Sequence, residues 1–329
     1  MKIAIVILNW NGKALLEQFL PSVISHSKQA DIYVADNAST DDSINFIKRT
    51  YPNIKIIKNT VNGGYAKGYN DALKCIEADI FCLLNSDVEV TENWLPPILE
   101  IFKEESSTAI IQPKILDYKR KDYFEYAGAA GGFIDKYGYP YCRGRIFNTI
   151  EKDNGQYNDT TEIFWASGAC LFIRSHVFFK LNGFDERFFA HMEEIDLCWR
   201  AKHLGYTIKY VGLSTIYHVG GATLNASNPQ KTYLNFRNSL FMLTKNVHGN
   251  ILALIIMRLA IDGLAGIKFL LELKLKHTFA IVKAHFNFYK NVSIFLKQRK
   301  NIQKDLNYYQ ITSIAFDYFV KKNSFYKSF

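Results

Sequence analysis

Cysteine is scarce and unpaired in this chain of 329 residues. The five cysteines, at 75, 82, 142, 170 and 198, form no C-x-x-C pair, and Cys82 and Cys170 lie inside apolar runs. They read as reduced, mostly core thiols in a cytosolic setting. No G-x-G-x-x-G follows the first apolar run, which ends in Asn9-Trp10-Asn11-Gly12, so a dinucleotide-binding fold is poorly supported. There is no Walker A sequence. A phosphatase with an aspartate nucleophile wants D-x-D after its first strand, where this chain has Asn9. The other candidate, Asn85-Ser86-Asp87, has Asn at the nucleophile position. The opening apolar run is only Ile3 to Leu8, and no small-residue cleavage site follows it. It is better read as a buried strand than as a signal peptide. Acidic residues are almost missing from one region. Between Lys268 and Lys304 stand nine lysines and arginines and a single acid, Glu272. Most of the net charge of +9 belongs to that segment, and the rest of the chain is close to neutral. This pattern argues against a nucleic-acid-binding body and for a local anionic partner.

What is present is an alternation of short apolar runs and helical patterns. Lys2 to Leu8, Asp31 to Ala35, Ile54 to Ile57 and the run from Phe81 read as strands. Between them, Leu15 to Ile24 reads as a helix that Pro21 bends or ends early. A second helix follows Ser39 or Thr40 as cap, and a third runs from the Gly63-Gly64 loop to about Ile76. Strands alternating with helices predict a parallel, doubly wound α/β sheet. Asn9, Asp36, Asn59 to Asn62 and Asp87 each follow a predicted strand, and such strand ends converge on one crevice. Asp87 suits Mg²⁺ or Mn²⁺ shared with substrate phosphates, or else Asn85 and Asp87 build a polar turn.

Tyr118 to Phe164 is irregular and rich in Gly and Tyr. It is either a lid or binding loop, with aromatics that stack on sugars, or a floppy insertion. Order returns at Phe164 to Ile173, a strand with small residues at its start. Glu193, Glu194 and Asp196 crowd a predicted helix start. They serve the helix dipole, with Asp196 paired to Arg200, or supply a general base. His218 follows a strand and is either structural or a ligand.

Read in order, these motifs resemble the family-2 glycosyltransferases with a GT-A fold, closest to the bacterial rhamnosyltransferase-like subgroup. The matching stretches are Asn9-Trp10-Asn11, Asp36 to Asp41, Asn62 to Ala66 with Asn70, Leu84 to Asp87, Trp165 to Gly168, Glu193 to Arg200, His218 with Gly220-Gly221, and Tyr233 to Asn238. The resemblance implies an inverting transfer of a sugar from a nucleoside diphosphate to a hydroxyl of a glycan or lipid-linked acceptor, in cell-surface polysaccharide synthesis. It implies nucleotide-sugar contacts from Asn9, Asn11, Asp36, Asn37, Asn62, Gly64, Asn70, Asn85, Ser86 and Arg237. Asp87 and His218 would hold a divalent metal, Mg²⁺ or Mn²⁺. Glu194, with Glu193 beside it, would be the base, and Trp165, Gly168 and Asp196 would meet the acceptor. Asn85 and Glu194 depart from the acids usual in the family. The alternative is therefore a non-catalytic sugar-nucleotide or glycan-binding protein at the membrane. A nucleotidyltransferase of similar fold is disfavoured, because the first strand lacks a Gly-rich basic loop.

The expected organisation is a catalytic domain at 1–245 and a basic helical region at 246–329. In the latter, Ile251 to Leu273 is apolar, but Arg258, Asp262, Lys268 and Glu272 argue against a membrane span. Their i,i+4 spacing predicts exposed helix pairs. A lysine every seven residues, from Lys276 to Lys304, interleaves with aromatics. This is either a helix on an anionic membrane or one packed on the body with a solvated basic face. The expected location is cytoplasmic, peripheral at the inner face of the plasma membrane.

Overall fold

The computed structural model describes residues 1–220, 228–299 and 306–326. Gly221, Lys300 and Lys304 of the motifs above lie outside the described residues. The elements run β1 (Ile3–Asn9), α1 (Lys13–His26), β2 (Asp31–Asp36), α2 (Ser43–Thr50), β3 (Lys55–Lys58), α3 (Gly64–Leu73), β4 (Ile80–Asn85), β5 (Val88–Val90), α4 (Pro96–Glu104) and β6 (Thr108–Asp117). Then come the short β7 (Gly132–Ile134), β8 (Pro140–Cys142), β9 (Arg145–Ile146), β10 (Thr149–Ile150) and β11 (Thr160–Glu162). They are followed by β12 (Cys170–Arg174), α5 (Ser175–Lys180), α6 (Glu193–His203) and β13 (Thr207–His218). The chain closes with α7 (Pro229–Asn246), α8 (Leu252–Leu271), α9 (Leu275–Gln298) and α10 (Ile314–Phe319).

The expected α/β architecture is present. The main sheet runs β11-β13-β6-β12-β4-β1-β2-β3, with β5 pairing onto β13. From β4 to β3 every pair is parallel, and β12 runs antiparallel between β4 and β6. β1 leads to β2 on one side while β4 lies on its other side. The order therefore reverses at β1, and open sheets of this kind bind ligands at the strand ends beside such a reversal. Register puts the polar ends level: Asn9 lies opposite Asp36, and Leu8 opposite Asn85. β1 and β4 are buried on both faces, which is why they read as continuous apolar runs.

Four expectations are corrected. Pro21 does not end α1, which continues to His26. Ser39 and Thr40 do not cap α2; its N-cap residue is Asp42, and the loop polar groups bind Asn9 and Asn11 instead. The 118–164 stretch is neither lid nor floppy insertion. It carries a second sheet, β10-β9-β8-β7, whose Phe124, Ile134, Tyr141 and Ile146 are buried. Tyr141 and Tyr157 belong to its core, whereas Tyr126 is exposed; short strands need such large side chains to bury enough area. Finally, the Arg258/Asp262 pair is not exposed but almost fully buried.

The C-terminal helices share a core with the body. Phe295 of α9 stacks on Phe241 of α7 and meets Phe188, which precedes α6. Among the described residues, no helix is long and apolar enough to cross a membrane.

Candidate active site

The strand-end residues form one hydrogen-bonded floor. Asn9 is fully buried, and its amide donates to Asp36 Oδ1 at 3.3 Å and to the Ser39 and Ser43 hydroxyls. The Ser39 amide donates to the other Asp36 oxygen at 3.2 Å. Asn11, in a left-handed conformation, accepts from the Thr40 and Asp41 amides. Asn37 joins the Asn62 side chain and the Gly64 carbonyl. Asn9 thus holds Asp36, while Asn11 and Asn37 brace the loops beside it. Asn70 is further off: its amide clamps Phe184 from both sides.

Across β1 lies a charged line. His218 ends β13 and is pinned beside Asp87, since the Val219 amide donates to the Asp87 carbonyl. His218 Nε2 is 3.1 Å from Asp87 Oδ1, and Nδ1 is 3.4 Å from Glu125 Oε2. Asn85 approaches the same imidazole at 3.3 Å. Burial opposes a charge on His218, but Glu125 and Asp87 outweigh it and push its pKa up to about 10. Burial would raise Asp87, yet the His218 hydrogen bond and charge, with backbone amides, hold it below the usual range. Glu125 was not foreseen from the sequence. It sits in the irregular stretch, and only its acid type among buried aromatics could have marked it.

Asp87 and His218 carry the atom types that bind a divalent ion, but His218 could ligate one only after giving up the proton it shares with Asp87. Their 3.1 Å separation is that of a hydrogen bond, and it is also about that of adjacent ligands of an octahedral ion. No group of three or more acidic, His or Cys side chains able to hold a metal occurs among the described residues. An ion bound here would therefore have to take its remaining ligands from water and phosphates, as Mg²⁺ and Mn²⁺ usually do.

Facing this floor is the start of α6. Phe189, His191 and Met192 all have left-handed φ, at 65°, 69° and 73°. Three such residues in a short segment store strain, which persists only where the surroundings enforce it. Asn238 of α7 enforces it here. Its one amide group donates to the carbonyls of Phe188, Ala190 and His191 at 2.9, 2.9 and 2.7 Å. Arg237 beside it donates to the Arg187 and Phe188 carbonyls. Arg237 is thus placed as a clamp on this loop. The loop delivers Glu193 and Glu194, each with one carboxylate oxygen that is buried and has no hydrogen-bond partner. Burial raises both acids, and Glu194 reaches about 7 against partial relief from the helix-start amides. Tyr65 connects the two halves. Its amide binds the Phe189 carbonyl, and its hydroxyl donates to Gly168 at 2.8 Å, next to Ala169, which accepts from Asn85. Gly64 is required there: its φ is +76°, and a Cβ would lie 2.6 Å from the Phe189 carbonyl oxygen. Ser86 lies against Gly12 across the β1–β4 gap.

Two residues expected on the acceptor side are turned inward. Trp165 is 3% exposed, donates to the Phe133 carbonyl and packs its ring on Gly132. Asp196 is fully buried and held by Arg200, Lys245 and Asn246. Burial alone would raise it, but Lys245 and Arg200 bring its pKa down to about 2. Asp196 anchors α6 to α7 and has no free oxygen for an acceptor. A cavity of 680 Å³ lies at the opposite ends of the strands, beside Met1, Ile3 and Pro96, and holds none of these groups.

The Asn238 clamp makes a prediction. Asn238→Ala frees a strained loop and shifts Glu194 by a fraction of its side-chain length. Misplacement by about 1 Å costs on the order of 10²-fold in rate. Steady-state kinetics should show that loss in kcat, with KM for the donor nearly unchanged.

Comparison with known proteins identifies the family and the fold. The N-acetylglucosaminyl-diphospho-decaprenol L-rhamnosyltransferase of Mycobacterium tuberculosis is 25% identical over 233 residues, covering 65% of this chain and 75% of that protein. The fold of S. aureus TarS 1-349, solved in complex with UDP-GlcNAc, aligns with a TM-score of 0.58 at 16% identity. That alignment covers 89% of this chain and 82% of the other. The mannosyltransferase PcManGT from Pyrobaculum calidifontis, solved with GDP-Man and Mn²⁺, aligns with a TM-score of 0.53 at 11% identity, covering 91% and 88%. Residues 4–178, more than half of the chain, match the model for "Glycosyl transferase family 2". The matched stretch holds Asp36 and Asp87 and ends before Glu194 and His218, and the chain belongs to that family as a glycosyltransferase.

Proposed function

We propose that the chain transfers a sugar, with inversion, from a nucleoside-diphosphate donor to a hydroxyl of a glycan or lipid-linked acceptor. The observation that carries this is the pairing of two opposed sites through Tyr65. One is an anchored carboxylate–imidazole pair at the strand ends; the other is a raised carboxylate on a strained loop. Asp36, steadied by Asn9 and Ser39, faces the nucleoside. Asp87 and His218 would hold a divalent ion on the diphosphate, where it would offset charge on the leaving group. Glu194 takes the acceptor proton as the acceptor oxygen bonds to the anomeric carbon. The bond to the diphosphate breaks on the opposite face, and the nucleoside diphosphate leaves with the electron pair. One displacement inverts the centre, and no covalent sugar–enzyme species is needed. The similarity to a transferase acting on a diphospho-decaprenol acceptor, and the basic C-terminal helices, support a lipid-linked acceptor in surface polysaccharide synthesis. They also support work at the inner face of a membrane.

A thermal-shift titration with UDP, dTDP and GDP, with and without Mn²⁺, tests the donor site. Ligand at 100 times Kd adds about 2.7 kcal/mol. The melting point should rise by several degrees with one nucleotide, and the Mn²⁺-dependent part should vanish in Asp87→Ala. Transfer from the matching nucleotide sugar then separates the enzyme from a non-catalytic binder. No shift with any nucleotide on a folded protein would refute the roles of Asp36 and Asp87.

A further inference from the structure

The α8 helix is packed inside out. Of its three charged residues, Arg258 and Asp262 face the protein, together with Ile255 and Gly266. Its solvent face carries Leu252, Ile256, Met257, Leu264, Ile267 and Leu271, all at least 49% exposed, with Lys268 as its one charge. A helix on a protein that meets only water shows the reverse pattern. The turn into α9 continues it: Leu273 is 84% exposed in a left-handed conformation. α9 buries Ala280, Ile281, Ala284, Phe288 and Phe295 against the body. Its opposite face presents Phe279, Val282, Phe286 and Tyr289 to solvent, between Lys276, Lys283, Lys290 and Lys297. Glu272 is the only exposed acid from Leu252 to Gln298. A contiguous apolar surface of this extent marks an interaction site.

We infer that this α8–α9 face rests on an anionic lipid bilayer, the apolar side chains sinking among the headgroups and the lysines meeting lipid phosphates. Charge complementarity selects the occupant. An apolar face studded with lysines and nearly free of acids matches an interfacial helix, whereas two copies of it brought together would set lysines against lysines. The helices lie on the membrane and do not cross it, since neither is long and apolar enough to span. This deepens the membrane part of the reading above and does not depend on the chemistry at Glu194.

The test is sedimentation of the full chain with sucrose-loaded vesicles at 0.15 M salt, either phosphatidylcholine alone or with 30% phosphatidylglycerol. The wild-type protein should pellet with the anionic vesicles and weakly with the neutral ones. Lys290→Glu/Lys297→Glu should lower partitioning by about tenfold or more, and Leu264→Glu/Ile267→Glu by a comparable factor. Both variants should keep the wild-type melting point and nucleotide-induced shift, since their side chains face solvent. Absence of pelleting, or equal pelleting by the variants, overturns the inference. So does light scattering that shows a dimer which the Leu264→Glu/Ile267→Glu variant dissolves, because a second copy then covers the face. Loss of the nucleotide shift with pelleting intact would instead strike the donor-site reading and leave this one standing.

Discussion

Glu194→Gln is expected to lower kcat for sugar transfer by about 10²–10⁴-fold, the usual range for losing a positioned general base. Donor affinity should be almost untouched, because the glutamine keeps the shape of the side chain. The same substitution should raise the melting point at neutral pH. Burial pushes the Glu194 pKa from the usual glutamate range up to about 7, so the folded protein holds its proton where the unfolded chain has released it. Such a group costs stability as pH rises from about 4.5 through 7. Glutamine carries no proton to lose, so the gap in melting point between variant and wild type should widen across that window and level off above it. Activity runs the other way. The base works as the carboxylate, so kcat for the wild type should climb with pH through about 7, and that limb should disappear in the variant. A faster or unchanged Glu194→Gln enzyme would remove Glu194 from the mechanism. Glu193→Gln separates the neighbours. Glu193 is only 4% exposed whereas Glu194 is half-buried, so Glu193→Gln should cost less than Glu194→Gln.

The crevice was legible because parallel strands leave a simple trace. Buried strands are continuous apolar runs, and the residue that ends each run is level with its neighbours' ends. Asn9, Asp36, Asn59 to Asn62 and Asp87 could therefore be assigned to one edge without any contact being known. What escaped was set by long-range pairing. Nothing local distinguishes Glu125 from a surface acid; its role exists only because β13 returns to place His218 beside it. Asp196 looked like a third acid at a helix start, and only Lys245 and Asn246, about fifty positions on, make it an anchor. Asn238 was recognised by motif, but its grip on the Phe188–His191 carbonyls depends on a loop geometry no periodicity predicts. Trp165 was given to the acceptor by the resemblance alone, and only the fold shows it turned inward onto Gly132 and the Phe133 carbonyl.

Arg258 carries the second large expectation, and it concerns stability. At i,i+4 the Arg258/Asp262 pair has the spacing of an ordinary solvent-exposed bridge, worth a few tenths of a kcal/mol. The fold places it instead at a junction of four segments. Arg258 donates to Asp262 at 2.8 Å, to the Tyr137 carbonyl at 2.6 Å and to the Ser239 hydroxyl at 2.7 Å, and lies over the Tyr139 ring. Asp262 accepts from the Tyr139 hydroxyl at 2.5 Å and meets His285 of α9 at 3.2 Å. Removing Arg258 leaves Asp262 a buried carboxylate with, among the described residues, only Tyr139 and His285 beside it. Arg258→Met should therefore destabilise the protein by about 3–5 kcal/mol, read as a lower urea midpoint. Arg258→Met/Asp262→Leu should recover most of that loss, because replacing both charges with apolar groups of similar size is often neutral. The cycle separates two roles. If the double variant regains stability and still binds anionic vesicles, the pair contributes little net free energy and its place is to fix how α8 docks. If the double variant is as unstable as the single one, the Tyr137, Ser239 and His285 hydrogen bonds hold the junction and the ion pair is secondary. Either way, the buried arginine explains why α8 can turn its leucines outward: its polar residues are consumed in attaching it to the body, and its apolar ones are left for what lies outside.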